Sequence, residues 1–311
     1  MKHAGRAMVF GGTGFVGRHL CAAFARHGWD VVSVARRPAE VPGARLTLPL
    51  DAVHAAAAAV PRLLKAHGPD VVVNAAGSYW GLDEAQLQTS FGTLTARLLA
   101  AVDGRPVRFL QLGSVMEHAP TPRGHALTAR SPIGPTGAYG RAKLAATRAV
   151  LDSGHNALVL RPTNSVGPGV HRHSLVGRVA GELRRARDTR SAAEITLAPL
   201  RAERDYLDVR DLGDAVVAAA SATAQGVVNI GSGHACPVRG LVEELVELSG
   251  VPARIIEREP EAGGPVAPGS AAEWLRVDPA PARELLGWSA SRTLSGALAD
   301  LWAEPRGSAG G

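Results

Sequence analysis

Residues 6–17 read Arg-Ala-Met-Val-Phe-Gly-Gly-Thr-Gly-Phe-Val-Gly, and their reading decides the fold. The apolar run Arg6–Phe10 predicts a strand, and the residues from Phe15 to His27 predict a helix. Between them stand Gly11, Gly14 and Gly17. Glycines at that spacing permit a tight turn, a close approach of backbone to a pyrophosphate, and close packing of helix on strand. An anion held there meets the positive end of the helix. The glycine pattern alone is weak; a strand before it and a helix after it supply the context it needs.

Outward from this unit, strands and helices alternate, which predicts a parallel sheet covered on both faces. Expected strands are Ala7–Phe10, Val31–Ala35, Arg45–Leu48, Val71–Asn74, Val107–Leu112 and Ala157–Leu160. Expected helices are Phe15–His27, Ala52–His67, Glu84–Val102 and Gly137–Asp152. The stretch Ala119–Pro135, rich in Pro, Gly, Thr and Ser, reads as a loop. After Arg161-Pro162 the alternation weakens, as expected of a second lobe assembled from separated segments. The expected class is α/β: a Rossmann-type doubly wound parallel sheet with a smaller, discontinuous C-terminal lobe that binds substrate. In residues, 1–163 and 208–231 form the nucleotide-binding domain, 164–207 and 232–303 the second lobe, and 304–311 a frayed tail.

Composition narrows the function. The chain has 311 residues, 46% hydrophobic and 20% charged, as an ordinary globular protein has. A net charge of +6 raises the question of nucleic acid. The arginines are dispersed, however, and even the densest group, Arg184, Arg185, Arg187 and Arg190, reads as a solvated helix face. Five Phe and three Tyr leave little for base stacking, so no nucleic-acid partner is expected. A basic balance suits a small anionic substrate equally well. Cys21 and Cys236 suggest neither a disulfide framework nor a metal site, and a cytoplasmic location is expected. No signal peptide is read at the N-terminus, and no apolar run of about 18 residues predicts a membrane span.

The chemistry is carried by Tyr139 and Lys143. The chain holds three tyrosines and three lysines, against thirty-one arginines. Scattered at random, a Tyr-x-x-x-Lys pair would occur only about 0.03 times in such a chain. Four residues is one helical turn, so phenol and ammonium share a face. A nearby cation favours the phenolate, and a phenol so tuned can exchange a proton with a carbonyl oxygen or an alcohol. A lysine kept in an arginine-rich chain suggests a place where a compact ammonium fits and a planar fork does not.

With these two signals in place, the chain resembles the extended short-chain dehydrogenase/reductase family, whose members are NAD(P)-dependent sugar-nucleotide epimerases, dehydratases and reductases. Further segments match in order. They are Asn74-Ala-Ala-Gly77, Gly113-Ser114-Val-Met-Glu117-His118, Arg161-Pro162-Thr-Asn164-Ser-Val-Gly-Pro-Gly169, Arg204-Asp-Tyr-Leu-Asp-Val-Arg-Asp211, Asn229-Ile-Gly-Ser-Gly233 and Leu285-Leu-Gly-Trp288. The resemblance implies that Tyr139 is the proton donor, that Lys143 holds the nicotinamide ribose and lowers the phenol pKa, and that Ser114 bonds the substrate oxygen. It places Gly11, Gly14 and Gly17 at the pyrophosphate and Asp51 near the adenine. Thr13, Phe15, Val16, Ala75, Ala76, Gly77, Arg161 and Pro162 complete the cofactor set. Asn164 and Arg204 would contact the substrate's nucleotide diphosphate. Trp80 is either packing or a stacking platform for substrate, and Glu117 either lines the sugar pocket or is a plain surface residue. A homodimer through the helix Gly137–Asp152 is also implied.

Two departures bear on the reaction. His118 stands where the family usually has tyrosine, which alters the wall beside the sugar. Val115-Met116 replace the Asp-Glu pair of the dehydratases, and neither side chain can serve as the second acid or base that elimination needs. The second strand ends Ala35-Arg36-Arg37, with no acid before Glu40. Arginine there accommodates a 2′-phosphate, so NADP(H) is the expected cofactor. The resemblance is nearest to reductases of TDP-4-keto-6-deoxyhexoses in actinomycete antibiotic deoxysugar pathways, with a nucleotide-linked keto sugar as substrate. The alternatives are a sugar-nucleotide epimerase and, in another class, a silent NADP-sensing regulator.

Overall fold

The computed structural model describes residues 4–37, 39–128, 130–259 and 273–304. Among these the strands are, in chain order, β1 (Arg6–Phe10), β2 (Asp30–Ala35), β3 (Leu46–Pro49), β4 (Val71–Asn74), β5 (Arg108–Leu112), β6 (Ala157–Pro162), β7 (Asn164–Val166), β8 (Ala193–Leu197), β9 (Glu203–Asp208), β10 (Gly226–Ile230), β11 (Ala235–Pro237), β12 (Ala253–Glu257) and β13 (Trp274–Leu275). The helices are α1 (Phe15–Arg26), α2 (Ala59–His67), α3 (Glu84–Gln88), α4 (Leu94–Val102), α5 (Ala138–Asp152), α6 (Leu175–Thr189), α7 (Val209–Ser221), α8 (Val238–Ser249), α9 (Ala280–Leu286) and α10 (Leu294–Ala303).

Seven strands form one parallel sheet in the order β10-β6-β5-β4-β1-β2-β3. The order reverses between β1 and β4, which opens a crevice at their carboxyl ends, where such sheets bind ligands. The sheet is buried on both faces, so its strands read as continuous apolar runs. Val9, Val73, Leu110 and Leu158 pack with Leu20, Phe24, Leu212 and Val216 on one face. Met8, Phe10, Val72 and Phe109 meet Leu64, Leu94, Leu98 and Val102 on the other. Each such side chain, taken fully from water, contributes about 1.5–3 kcal/mol.

The second lobe gathers β8 with β12, the sheet of β7, β9, β11 and β13, and helices α6, α8 and α10 around a separate core. Ala282 and Trp288, in the range expected for that lobe, pack instead into the core beside β10 and α7. Asp205, fully buried on β9, ties that strand to the segments that follow β10 and β13. Its carboxylate accepts from Ser232 N (2.9 Å), Ser232 Oγ (2.8 Å), Gly233 N (3.0 Å) and Val277 N (3.1 Å).

Two expected helices differ from the fold. The alanine-rich start of Ala52–His67 forms turns, and α2 begins only at Ala59. Asp51 accepts from Val53 N and His54 N, while Arg97 draws on the carbonyls of Ala52 and Ala55. The Arg97 guanidinium therefore takes up carbonyls that a helix would have used, while the Asp51 bonds are ones a helix start would accept as well. The expected helix Glu84–Val102 is broken at Thr89–Thr93 by one π-helical turn. Part of the 304–311 tail lies outside the described residues. Among the described residues no helix is long and apolar enough to cross a membrane.

Candidate active site

The crevice is built for a phosphate-bearing group. Gly11 sits at φ +84°, a conformation that L side chains rarely adopt, and a Cβ there would strike the backbone of Ala75–Ala76 on the other lip. A Cβ on Gly17 would overlap the Gly11 carbonyl. Gly14 is exposed and caps α1 with no side-chain hydrogen bond, so the helix presents bare amides to the opening. Thr13, Phe15 and Val16 are half-buried around it. Arg36 and Arg37 follow β2 and are exposed. Asp51 lies after β3, with its carboxylate bonded to its own turn and to His54 Nδ1 at 3.1 Å. These residues fit a dinucleotide: a glycine turn for the pyrophosphate and two cations beside the end of β2.

Tyr139 and Lys143 project from the first turns of α5 toward the end of β5. The Tyr139 phenol hydrogen-bonds Ser114. Lys143 is 7% exposed and donates to the Leu112 carbonyl at 2.9 Å. Its Nζ lies 4.3 Å from the Phe91 ring centroid and 5.8 Å from that of Tyr139. Burial draws the ammonium down to about 8, against the attraction of Glu117. The phenol moves opposite to expectation. Burial raises it above its ordinary value, Glu117 adds to the rise, and the Ser114 bond opposes it. The lysine's expected lowering is outweighed, because desolvation penalises the phenolate. A phenol held protonated is poised to give its proton away.

Beneath Ser114 lies a buried ion pair that changes the reading of three residues. Glu117 is 0% exposed; its Oε1 accepts from Ser114 N at 2.8 Å and its Oε2 from Arg161 Nε at 2.7 Å. Glu117 is therefore neither a pocket wall nor a surface residue. It closes a capping box with Ser114 and fixes the short turn that follows β5. The Arg161 guanidinium is correspondingly paired with Glu117, and half-buried Pro162 follows it at the end of β6. His118 is 4% exposed, with Nδ1 at 3.2 Å from the Ser131 carbonyl and Nε2 at 3.3 Å from Asn229 Oδ1. It borders a cavity with Met116, Thr121, Thr136 and Trp274 as a fixed wall, its polar atoms already engaged.

Asn164 and Arg204 stand on neighbouring strands of the second lobe. Asn164 donates to the Asp205 carbonyl at 3.2 Å, and burial draws Arg204 down. The half-buried Trp80 ring stacks on His171 with centroids 5.2 Å apart and planes 8° from parallel, joining loop to second lobe. Sequence reasoning missed its neighbours. Tyr79 lies 4.8 Å from Tyr139 and 4.2 Å from Trp80, and Phe91 meets Tyr139 edge-on at 5.6 Å. Tyr79 stands next to Trp80 in the chain; Phe91 carried no signal inside a helical stretch.

The match to known proteins follows this geometry. Residues 7–231 match the model of the NAD dependent epimerase/dehydratase family. The chain is 41% identical over 305 residues, 96% of its length and 94% of the relative's, to a dTDP-6-deoxy-L-talose 4-dehydrogenase (NAD(P)(+)) of Kitasatospora kifunensis. It is 27% identical over 265 residues to a GDP-6-deoxy-D-mannose reductase of Pseudomonas aeruginosa, covering 81% of this chain and 83% of that one. Its fold matches the structure of RMD from Pseudomonas aeruginosa complexed with NADPH, with a TM-score of 0.81 at 24% identity over 97% and 98% of the two chains. With the glycine crevice, the Ser114–Tyr139–Lys143 cluster and a family match spanning both, the chain belongs to the NAD dependent epimerase/dehydratase family.

Proposed function

We propose that the protein is an NADPH-dependent reductase of the C4 keto group of a TDP-4-keto-6-deoxyhexose. The observation that carries the reading is the Tyr139 phenol, held protonated by burial and bonded to Ser114, beside the Lys143 ammonium. Ser114 orients the substrate carbonyl oxygen and Tyr139 delivers its proton there as negative charge develops. Lys143, drawn down to about 8, is still charged at neutral pH and steadies the phenolate left behind, which solvent reprotonates. When bound, the reduced nicotinamide supplies the hydride to C4. Asn164 and Arg204 would anchor the diphosphate, so that remote binding energy sets the carbonyl in place. The relative named as a 4-dehydrogenase supports this reading, since a ketone reduction and an alcohol oxidation are one interconversion seen from its two ends. The cytosol is the proposed compartment. A homodimer through α5 is also proposed; its outer face carries Arg141, Ala145, Arg148 and Leu151.

Purified protein given a TDP-4-keto-6-deoxyhexose is expected to consume NADPH in proportion to substrate and to leave a C4 hydroxyl. Isomerised sugar without net NADPH loss would establish epimerisation instead. No turnover of any nucleotide sugar would point to another carbonyl substrate or to a cofactor sensor.

The cofactor reading has its own test. Arg36→Ser/Arg37→Ser is expected to weaken NADPH far more than NADH, through loss of charge-assisted bonds to the 2′-phosphate. Titration of both cofactors by fluorescence measures it. Equal losses, or a wild type that prefers NADH, would overturn the assignment.

A further inference from the structure

The π-helical turn Thr89–Thr93 interrupts what would be one helix and carries a phenylalanine into the site. Such turns are rare and occur mostly at functional positions. Phe91 is 3% exposed and touches three parts of the site. Its face receives the Lys143 ammonium at 4.3 Å, and its ring meets that of Tyr139 at 5.6 Å and 77°. Its Cε1 lies so close to Gly77, on the lip of the crevice, that a Cβ there would overlap it.

We propose that Phe91 is a positioning residue for the catalytic pair, its ring face holding the Lys143 ammonium and its ring fixing the attitude of Tyr139. The proposal rests on the reductase reading for what the pair does, but not for the contact itself. An ammonium has three N–H donors, and one is used on the Leu112 carbonyl. A ring face attracts the cation through its quadrupole yet offers no lone pair that would lock a second donor. The remaining donors stay free to point into the crevice, where a carbonyl or carboxylate in place of Phe91 would have captured them. The same attraction offsets part of the desolvation that draws the ammonium down to about 8. The other titratable groups acting on this ammonium are Tyr139, on its own helix, and Glu117, itself paired with Arg161. A leucine at 91 would fill the space without the quadrupole, which separates positioning from packing.

Three lysines make the test direct. Protein carrying 13C-labelled lysine shows three side-chain titrations by NMR, and Lys143→Met identifies one of them. Phe91 is then replaced by mono-, di- and trifluorophenylalanine, which drain the ring face with little change of shape, and separately by Leu. The Lys143 midpoint is expected to fall stepwise along the series and furthest in Phe91→Leu, while Lys65 stays fixed. A group stabilised as a cation and then deprived of that stabilisation loses its proton at lower pH. The alkaline limb of kcat/KM is expected to move the same way. NADPH affinity at neutral pH should weaken by about tenfold over the series, the size of a desolvated cation–π contact. A Lys143 midpoint that does not move in any of these variants would overturn the proposal. Because the midpoint is read without substrate, a failed reductase assay would sink the proposed reaction and leave this result standing.

Discussion

Tyr139→Phe is expected to cut turnover by about 10²–10⁴-fold, the usual contribution of a positioned general acid, while NADPH binding is kept. The ring that remains still fills the space between Tyr79 and Phe91, so the local packing survives. What disappears is the one O–H bonded to Ser114 that can meet a carbonyl oxygen. The loss should therefore fall on kcat rather than on cofactor affinity, since the phenol's proton matters only as charge develops on the oxygen. Steady-state kinetics with NADPH titrated separately reads both. A variant keeping half the activity would remove Tyr139 from the chemistry. Ionisation of a phenol raised by burial lies above the neutral range, so at neutral pH the wild type should hold its proton fully.

The second large effect belongs to a residue that touches no substrate. Glu117→Ala is expected to destabilise the fold by about 3–5 kcal/mol, the cost of leaving a buried charge without its partner. Arg161, 5% exposed, would keep its guanidinium among strand ends with no counter-charge. Ser114 would lose the carboxylate that accepts from its backbone amide, so turnover of the surviving folded protein should fall as well. Glu117→Leu/Arg161→Met should recover much of the stability, because removing both charges removes the desolvation cost along with the attraction. Urea unfolding of the single and double variants measures this. A loss of only about 1 kcal/mol in Glu117→Ala, the range of an exposed pair, would refute the buried-pair account.

The sequence of this chain determined whatever depends on neighbours along it. A glycine spacing of three announces a turn and a helix start within a few residues, and four residues on a helix put Tyr139 and Lys143 on one face wherever that helix docks. The apolar runs of the parallel strands are equally local, and they place the sheet and the Ser114-bearing strand end with only small shifts at their boundaries. Tertiary structure decided everything that pairs across distance. The partner of Glu117 is 44 residues away, and the His171 that stacks on Trp80 belongs to the other lobe. Phe91 reaches the ammonium from a π-helical turn that interrupts its helix. Arg97 took carbonyls that alanine propensity would have given to a helix. Even the direction of the Tyr139 shift was a tertiary result. The spacing supplies a cation to favour the phenolate, but packing supplies the desolvation that opposes it, and here desolvation is the larger.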